Sequence, residues 1–463
     1  MAAMSILTVK FIAIGLTKEL AGNYNSAYGY LQLFGILADF GLYAVAVREV
    51  SRASDRPRVL GALMVLRLCT LLVSLGTAIL FVWILPQWRG TPFPMSVLIA
   101  SLVPFFTLLA GMIRTIFQVG YRMHFVFIAE VTQRIITTGL IATVIILGIR
   151  GSTDTRVLYL MLATGGVGAV VLFLLSIAYG SRLMAMRLCF DRALMKSLLL
   201  RAAPFGLAYL CIAFSRQFDL TMIALLRSDF QIQNAYYGFV VRMSDMGFVL
   251  PTYLLNSMLP TLSDRDREGG DTAALLGRTF LAVMLIGVTA FLFSFLWSRP
   301  VTGLLTTPAY LSTPTQPGSD TALELLSIPL LMNGIILYSF YVLLHQHAWK
   351  ALTVTLFFGA LLSLGSNALL IPRYGFVGAA WTSVGIHLLL AALLLPQAIR
   401  AMHVRLSLSQ AWKWVAYAAG LGLGLGILKP FVVDEISTVI GLGMVTLLMF
   451  GLGWVLRLQR ELL

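Results

Sequence analysis

The sequence contains few charged side chains, which make up only 11% of its 463 residues. A soluble protein of this size carries roughly a quarter charged residues. Hydrophobic residues account for 59% of the chain, and the mean hydropathy is +0.90. This composition argues against a soluble globular protein and predicts a chain that lies largely within a membrane.

Cysteines and nucleotide-binding motifs are also scarce. The three cysteines, Cys69, Cys189 and Cys211, are far apart and lack metal-ligand spacing, so we expect buried free thiols. No G-x-x-x-x-G-K-[ST] motif is present, which argues against direct use of a nucleotide. The net charge of +14 is spread over short loops rather than gathered in a patch. We therefore predict no metal site, no cofactor and no nucleic-acid partner.

Apolar runs of about 20 residues recur along the chain without alternating polar residues, which predicts spanning helices rather than barrel strands. We predict about 14 helices from this pattern. Their approximate limits are 3–20, 28–47, 60–84, 94–118, 125–148, 157–179, 203–226, 235–258, 274–297, 322–344, 350–370, 376–396, 411–429 and 437–456. Most of the 33 lysine and arginine residues fall in loops on one side of the predicted membrane, which places both termini in the cytoplasm.

A weak internal repeat suggests two lobes. Tyr28–Gly29 can be aligned with Tyr237–Gly238, which would make helices 1–6 and helices 7–12 two lobes of the same topology. The predicted fold is therefore an all-α polytopic membrane protein with two six-helix lobes around a central cavity and a C-terminal helix pair. The predicted segments are 1–179 for the N-terminal lobe, 180–202 for a basic amphipathic linker on the cytoplasmic surface, 203–397 for the C-terminal lobe and 398–463 for helices 13 and 14. We expect the outer loop 298–321, rich in threonine and proline, to be irregular.

Ionisable residues occur inside several predicted helices, although each costs about 2.5–3.5 kcal/mol at the bilayer centre. Their spacing puts three pairs on shared helix faces. The pairs are Arg216 with Asp219, Arg242 with Asp245, and Glu130 with Arg134. Polar contacts also hold membrane helices together, and we expect that role for Glu130 and Arg134. We expect Arg67 to lie near a helix end and to extend toward the interface.

Asp39 lies in the middle of the apolar stretch 28–47, where a carboxylate is unexpected. Tyr28, Gln32, Gly35 and Asp39 follow one face of this helix. A second polar stripe lies on predicted helix 8 and contains Arg242, Asp245, Thr252 and Asn256. We interpret the two stripes as the lining of a water-filled cavity between the lobes. Asp39 could titrate during transport or be a fixed partner for a cation such as Lys10, and the sequence leaves both roles open.

The stretch ELAGNYNSAYGYLQLFGILADFGLYAVAVREVSR resembles the first loop and second helix of the polysaccharide-unit (O-antigen) flippases. The shared features are Tyr28–Gly29, Asp39–Gly41 and Arg48–Glu49, while Ala21–Gly22 stands where that family has Leu-Gly. The segment LIPRYGFVGAAWTSVGIHLLLAALLLP from Leu370 resembles the same family's junction before helix 12. The segment AYYGFVVRMSDMGFVLPTYLLNSMLPTLS resembles its helix 8.

This resemblance implies the superfamily that also contains MATE-type multidrug exporters and lipid II flippases, which work by alternating access. It implies a transporter rather than an enzyme. The implied cargo is an undecaprenyl-diphosphate-linked oligosaccharide, moved across a bacterial inner membrane. Other implied partners are membrane lipids, a polysaccharide polymerase and further assembly proteins.

With such a cargo, Arg216, Arg242 and Lys10 are the expected diphosphate-binding residues, because arginine pairs bidentately with phosphate. The expected coupling and cavity residues are Asp39, Asp219, Asp245 and Gln32. The membrane potential would drive an anion outward by about 2.3 kcal/mol per charge per 100 mV, with or without proton or sodium exchange at the aspartates.

Three other functions stay open. A cation-coupled drug or small-molecule antiporter of the same fold would favour a cavity dominated by acids and aromatic residues. A membrane enzyme of polysaccharide assembly would need catalytic acids or histidines in an outer loop, and the loop 298–321 has only Asp320. A scaffold without transport activity would not explain the costly ionisable residues within helices.

Overall fold

The computed structural model describes residues 2–216, 218–267, 272–346, 348–402 and 408–458. Regular structure within these ranges is helical. The α-helices are α1 (Ala2–Gly15), α2 (Lys18–Asp39), α3 (Leu42–Arg52), α4 (Arg56–Ile84), α5 (Phe93–Ala100), α6 (Leu102–Val119), α7 (His124–Ile146), α8 (Thr155–Gly180), α9 (Arg192–Arg216), α10 (Asp219–Leu226), α11 (Phe230–Arg267), α12 (Thr272–Leu296), α13 (Ser298–Leu305), α14 (Ser319–His345), α15 (Trp349–Tyr374), α16 (Phe376–Ala401), α17 (Leu408–Leu428) and α18 (Glu435–Val455).

Ten helical segments in the described ranges are long and apolar enough to cross a membrane, with α5 and α6 forming one of them. The all-helical, multi-pass prediction is confirmed, while the number of 14 spans is not. The predicted spans outside these ten correspond to α1, α2, α9 with α10, and α11. Of these, α1 and α10 are short, whereas α2, α9 and α11 each carry several charged residues.

The chain divides into two compact units, Met1–Gly238 and Phe239–Leu463. In the first unit α8 packs against α6 and α7, α1 lies on α7, and α2 packs against α4 and α5. A core beneath α3, α4, α6 and the start of α9 contains Leu42, Leu63, Ile113 and Leu198, all buried. This core explains why the first half of α9 packs with the N-terminal unit.

In the second unit α14 packs between α12 and α16, and α15 lies on α16. The C-terminal pair α17 and α18 packs against α12 and α13 around the buried Trp297. The Trp297 indole Nε1 donates a hydrogen bond to the Leu425 carbonyl at 2.9 Å, so this side chain satisfies its polar group within an apolar core. The division into these two units does not test the predicted lobe limits at residues 179 and 203, which stay a prediction.

Two predicted spans are each divided into two helices. The span 28–47 is interrupted at Phe40 and Gly41, which both have positive φ, at 36° and 73°. The span 203–226 consists of the end of α9 and the separate helix α10. Arg216 ends α9 and Asp219 begins α10, so the prediction that these residues share one helix face is wrong.

Three further predictions need correction, two about loops and one about the cysteines. Residues 181–191 form turns and irregular backbone, and the rest of the predicted linker 180–202 belongs to α9, which begins at Arg192. The loop 298–321 is irregular only in part, because it contains α13 and the first residues of α14. Cys211 is buried as expected and forms no disulfide, but Cys69 is exposed and Cys189 is half-buried.

Candidate functional site

The interruption after Asp39 explains the carboxylate in an apolar stretch. Asp39 is the last residue of α2, and the side chain of Arg67 on α4 reaches this helix end. Arg67 Nη1 donates a hydrogen bond to the Ala38 carbonyl at 3.1 Å, and Nη2 pairs with the Asp39 carboxylate. A cation at a helix C-terminus is favourable because the unsatisfied carbonyls carry partial negative charge. The carboxylate and the broken helix are therefore parts of one arrangement.

Arg67 does not lie at a helix end. It falls in the middle of α4, and its side chain is only 1% exposed. The prediction that it extends to the interface is therefore wrong. The partner that the structure gives Asp39 is this buried arginine, which favours the fixed-partner role among the two left open by the sequence.

A second ion pair lies in the same unit. Arg114 on α6 donates to Glu130 on α7 at 3.1 Å, and their side chains are 35% and 32% exposed. The expected pairing of Glu130 with Arg134 is thus replaced by a contact between two helices. This pair ties α6 to α7, which agrees with the helix-bridging role expected for Glu130.

Tyr43 on α3 lies near members of both ion pairs. Its hydroxyl approaches the Gln118 side chain and is within electrostatic range of Arg114, Glu130 and Asp39. We call the six residues the charged cluster. Its members are Asp39, Tyr43, Arg67, Arg114, Gln118 and Glu130.

The charged cluster combines satisfied and unsatisfied polar groups. The Nε atoms of Arg67 and Arg114 and the Oε1 atom of Gln118 are buried and have no hydrogen-bond partner among the described residues. Two arginines balance two carboxylates, so the cluster is formally neutral. Since Arg67 is enclosed and Arg114 is one-third exposed, Arg114 is the cluster cation that a polar ligand could reach.

Asp219 is buried at the start of α10, where its side chain is positioned by α11. The Tyr237 hydroxyl donates to Asp219 Oδ2 at 2.8 Å. On the neighbouring position of α11, the Tyr236 hydroxyl accepts a hydrogen bond from Lys18 Nζ at 3.1 Å. Asp219 therefore lies in a buried polar junction of α2, α10 and the start of α11.

The remaining predicted residues of the first unit are dispersed. Lys10 is half-buried on α1, and Gln32 is exposed on α2. The polar stripe that contains Gln32 is partly packed against α8. The Tyr28 hydroxyl lies so close to Gly165 that a Cβ at this glycine would be only 2.4 Å from it. Tyr28 thus faces α8, and only part of the stripe can line a cavity.

Arg242 and Asp245 are half-buried on α11, within the second unit. The side chain of Arg216 lies outside the described part of the structure. The predicted diphosphate-binding and coupling residues therefore fall in both units. That they share one chamber stays a prediction.

Three residues of the charged cluster, Tyr43, Arg114 and Gln118, are not among the predicted site residues. Arg114 lies inside the predicted span 94–118, and the apolar residues on both sides of it are the signal that marks it as a charge within a helix. For Glu130 and Arg67, the sequence predicts surroundings that differ from those in the structure. Within the residues that the structure describes, no group of three or more histidine, cysteine or acidic side chains could hold a metal ion.

The overall fold resembles known transporters of low sequence identity. An inward-facing multidrug resistance MATE family transporter of the MOP superfamily superposes with a TM-score of 0.61 at 13% identity, over 87% of this chain and 94% of that chain. A point mutant of the Vibrio cholerae MATE transporter VcmN gives a TM-score of 0.52 at 12% identity, over 86% and 95% of the two chains. A MOP superfamily transporter from Pyrococcus furiosus, described as having a binding pocket of reverse polarity, gives a TM-score of 0.52 at 13% identity. The match covers 86% of this chain and 95% of that chain.

Sequence comparison adds the family. No curated protein sequence matches the chain. Residues 1–265, more than half of the chain, match the family described as polysaccharide biosynthesis protein. With a MATE-like transporter fold and this family match, the chain belongs to the polysaccharide biosynthesis protein family of multi-pass membrane proteins.

Proposed function

We propose that this protein is a flippase for polyprenyl-diphosphate-linked oligosaccharide repeat units. It moves them across a bacterial inner membrane during surface polysaccharide biosynthesis. The observation that carries the proposal is the polysaccharide biosynthesis family match in a chain with a transporter fold.

The distribution of polar residues supports this cargo. A lipid-linked oligosaccharide has an apolar tail that can stay in lipid, whereas its diphosphate and sugars need a polar path. Ionisable residues lie among apolar neighbours on several helices, including α1, α2, α4, α7 and α11. Charged residues at membrane depth are costly unless they face partners or water, so they mark functional paths.

Each candidate residue has a role in this proposal. Arg216, Arg242 and Lys10 bind the diphosphate, and Arg114 adds a reachable cation in the first unit. Asp219 and Asp245 are the candidates for coupling to protons or sodium, while Asp39 maintains the end of α2 through Arg67. The membrane potential contributes about 2.3 kcal/mol per charge per 100 mV to outward movement of the anionic head.

The enzyme alternative is less well supported, because the single acid of the outer loop is engaged in loop structure. Asp320 accepts hydrogen bonds from the Ser312 backbone at 2.7 Å and the Ser312 hydroxyl at 2.6 Å. Arg299 Nη1 also donates to it at 3.4 Å. These contacts fix the loop between α13 and α14 and leave that carboxylate poorly available for catalysis.

The function is tested in a strain that lacks the gene. We expect accumulation of lipid-linked repeat units and loss of surface polysaccharide, both reversed by the wild-type protein. Arg216→Ala and Arg242→Ala should insert normally but fail to restore export, whereas the exposed Arg52→Ala serves as the matched control. Full export by both variants at normal protein levels would remove their binding role. Extrusion of cationic drugs without any change in lipid-linked sugars would instead indicate the antiporter.

A further inference from the structure

The connection between α8 and α9 presents apolar and basic side chains together. It consists of the irregular residues 181–191 and of Arg192, the first residue of α9. We call residues 181–192 the α8–α9 loop. Three large apolar side chains of this loop, Leu183, Leu188 and Phe190, are 41%, 70% and 67% exposed. Exposed apolar side chains that are grouped in this way mark an interaction surface.

The α8–α9 loop lies at the boundary of the membrane. The preceding helix α8 contains 26 residues and is apolar enough to span a bilayer. At a rise of 1.5 Å per residue it is about 39 Å long, which exceeds the thickness of the hydrocarbon core. The residues that follow Gly180 therefore lie at the depth of the lipid headgroups. The charge bias of the loops predicts that this end faces the cytoplasm, where the leaflet carries anionic lipids.

The backbone of the α8–α9 loop packs directly on the first compact unit. A Cβ on Gly61 of α4 would lie 1.9 Å from the Arg187 carbonyl oxygen, so the loop backbone touches α4 at this glycine. Met184 and Met186 pack against the core beneath α3, α4 and α6. The exposed side chains therefore extend from a backbone that is held on both sides of them.

The single acid of the α8–α9 loop is engaged within the protein. Asp191 Oδ1 accepts a hydrogen bond from the Leu194 backbone at 3.0 Å, which caps the start of α9. Asp191 Oδ2 pairs with Arg58 of α4 at 2.7 Å. This carboxylate therefore does not neutralise the other basic residues nearby.

Four basic residues of the α8–α9 loop and the first turn of α9 are exposed and have no ion-pair partner in the part of the chain that the structure describes. They are Arg182, Arg187, Arg192 and Lys196. Arg192 lies over the Phe190 ring, with its Cζ atom 5.8 Å from the ring centroid. A cation and a large apolar side chain are thus adjacent at the predicted depth of the lipid phosphates.

We propose that the α8–α9 loop is a binding site for anionic phospholipids of the cytoplasmic leaflet. Leu188 and Phe190 enter the boundary between headgroups and acyl chains, and the unpaired cations contact lipid phosphates. Arginine suits this contact because its guanidinium donates two parallel hydrogen bonds to a phosphate. Interfacial segments that combine apolar and basic residues bind through buried area and through attraction to anionic lipids.

A lipid fits this surface better than an acidic protein does, because the loop follows a membrane span directly and already lies among headgroups. The site extends beyond the proposed flippase function and does not depend on it. Its tests therefore measure lipid binding and not export.

The first test compares the effect of two lipids on the Tm of the full-length protein in neutral detergent. A ligand that binds the folded state raises the Tm. We expect phosphatidylglycerol to raise it by several degrees more than phosphatidylcholine does, and the double variant Arg187→Gln with Arg192→Gln to lose most of this difference. The matched control, Arg150→Gln with Arg156→Gln, removes two exposed arginines at the other end of α8 and should retain it. Equal behaviour of the two double variants would overturn the site.

The second test locates the loop in the membrane. Leu188→Cys is made in a protein whose three native cysteines are replaced, and it is labelled with a fluorophore. The protein is then reconstituted into vesicles of phosphatidylcholine with phosphatidylglycerol. Lipids with a nitroxide on the acyl chain should quench this fluorophore several-fold more than one at the exposed Thr315→Cys. Equal quenching at the two positions would overturn the proposal, as would a label on Leu188→Cys that is shielded from water but not quenched, which would indicate a protein partner.

Discussion

Arg67 and Asp39 are a buried cation and a half-buried anion that depend on each other. Leaving one member of a buried pair without its partner costs about 3–5 kcal/mol. Because Arg67 is almost completely enclosed and Asp39 is 27% exposed, loss of the aspartate should be the more harmful change. We predict that Asp39→Asn lowers the Tm of the purified protein more than Arg67→Gln does. The Tm is measured by thermal unfolding in detergent.

The double variant Asp39→Asn with Arg67→Gln separates a structural role from a transport role. It removes both charges, so we expect a Tm closer to wild type than that of Asp39→Asn alone. Restored export would identify Asp39 as a fixed partner. Restored stability without export would instead identify a carboxylate required for coupling.

Asp229 lies in the turn between α10 and α11, outside the membrane-spanning segments. Hydrogen bonds from Arg227 at 2.7 and 2.9 Å lower the pKa of this carboxyl below its ordinary value of 3.8, and a bond from Gln233 contributes further. A lowered folded-state pKa stabilises the protein above the unfolded pKa and loses that effect as pH falls through the folded one.

We therefore predict that acid weakens this turn. The Tm of the wild-type protein should fall as pH decreases below about 4, and Asp229→Asn should reduce the slope of that decrease. The comparison is made by thermal unfolding at a series of pH values. An unchanged slope in Asp229→Asn would exclude this ion pair as a contributor.

At the scale of elements, the interruption between α2 and α3 depends on a backbone conformation with positive φ, which few residue types adopt. Gly41 has a φ of 73°, and a residue with a side chain costs about 1–2 kcal/mol in the left-handed region. We predict that Gly41→Ala lowers the Tm measured in detergent. The matched control is Gly76→Ala in the regular part of α4, where a Cβ meets open space and alanine favours the helix. Equal effects of the two substitutions would argue against strain at the interruption.

Helices were predictable where apolar runs are long, and their interruptions were not. The spans 60–84, 157–179 and 376–396 fall within α4, α8 and α16, because burial in lipid alone requires an apolar helix. The end of α2 at Asp39 depends on Arg67, which is distant in sequence. A hydropathy profile does not include contacts between residues that are distant in sequence. It therefore predicts 28–47 as a single span.

The same distinction applies to the site residues, because the charged residues themselves were predictable and their partners were not. Asp39, Asp219 and Arg242 stand out in sequence because a charge in an apolar run is rare. The partners of Asp39 and Glu130 could not be predicted from spacing along one helix, since their ion pairs connect α2 with α4, and α6 with α7. The i, i+4 rule suggested Arg134 for Glu130, but helix packing supplied Arg114.

At the scale of the whole molecule, the charge bias predicts which loops face the cytoplasm. A cysteine at the exposed Thr315 should react with an impermeant maleimide added outside intact cells, because its loop lies on the side poor in basic residues. A cysteine at the exposed Ser181 should react only after the membrane is permeabilised. The reverse pattern would invert the predicted topology.

The most direct measurement is the movement of substrate between the leaflets of vesicles that contain the purified protein. A labelled polyprenyl-diphosphate-linked oligosaccharide is present in both leaflets. An added enzyme that attacks only the outer leaflet then reports how much substrate crosses. Wild-type protein should expose the complete pool, whereas protein-free vesicles and Arg242→Ala vesicles should stop at the fraction initially outside. Equal exposure in wild-type and protein-free vesicles, with the protein shown to be folded, would contradict the proposed flippase function.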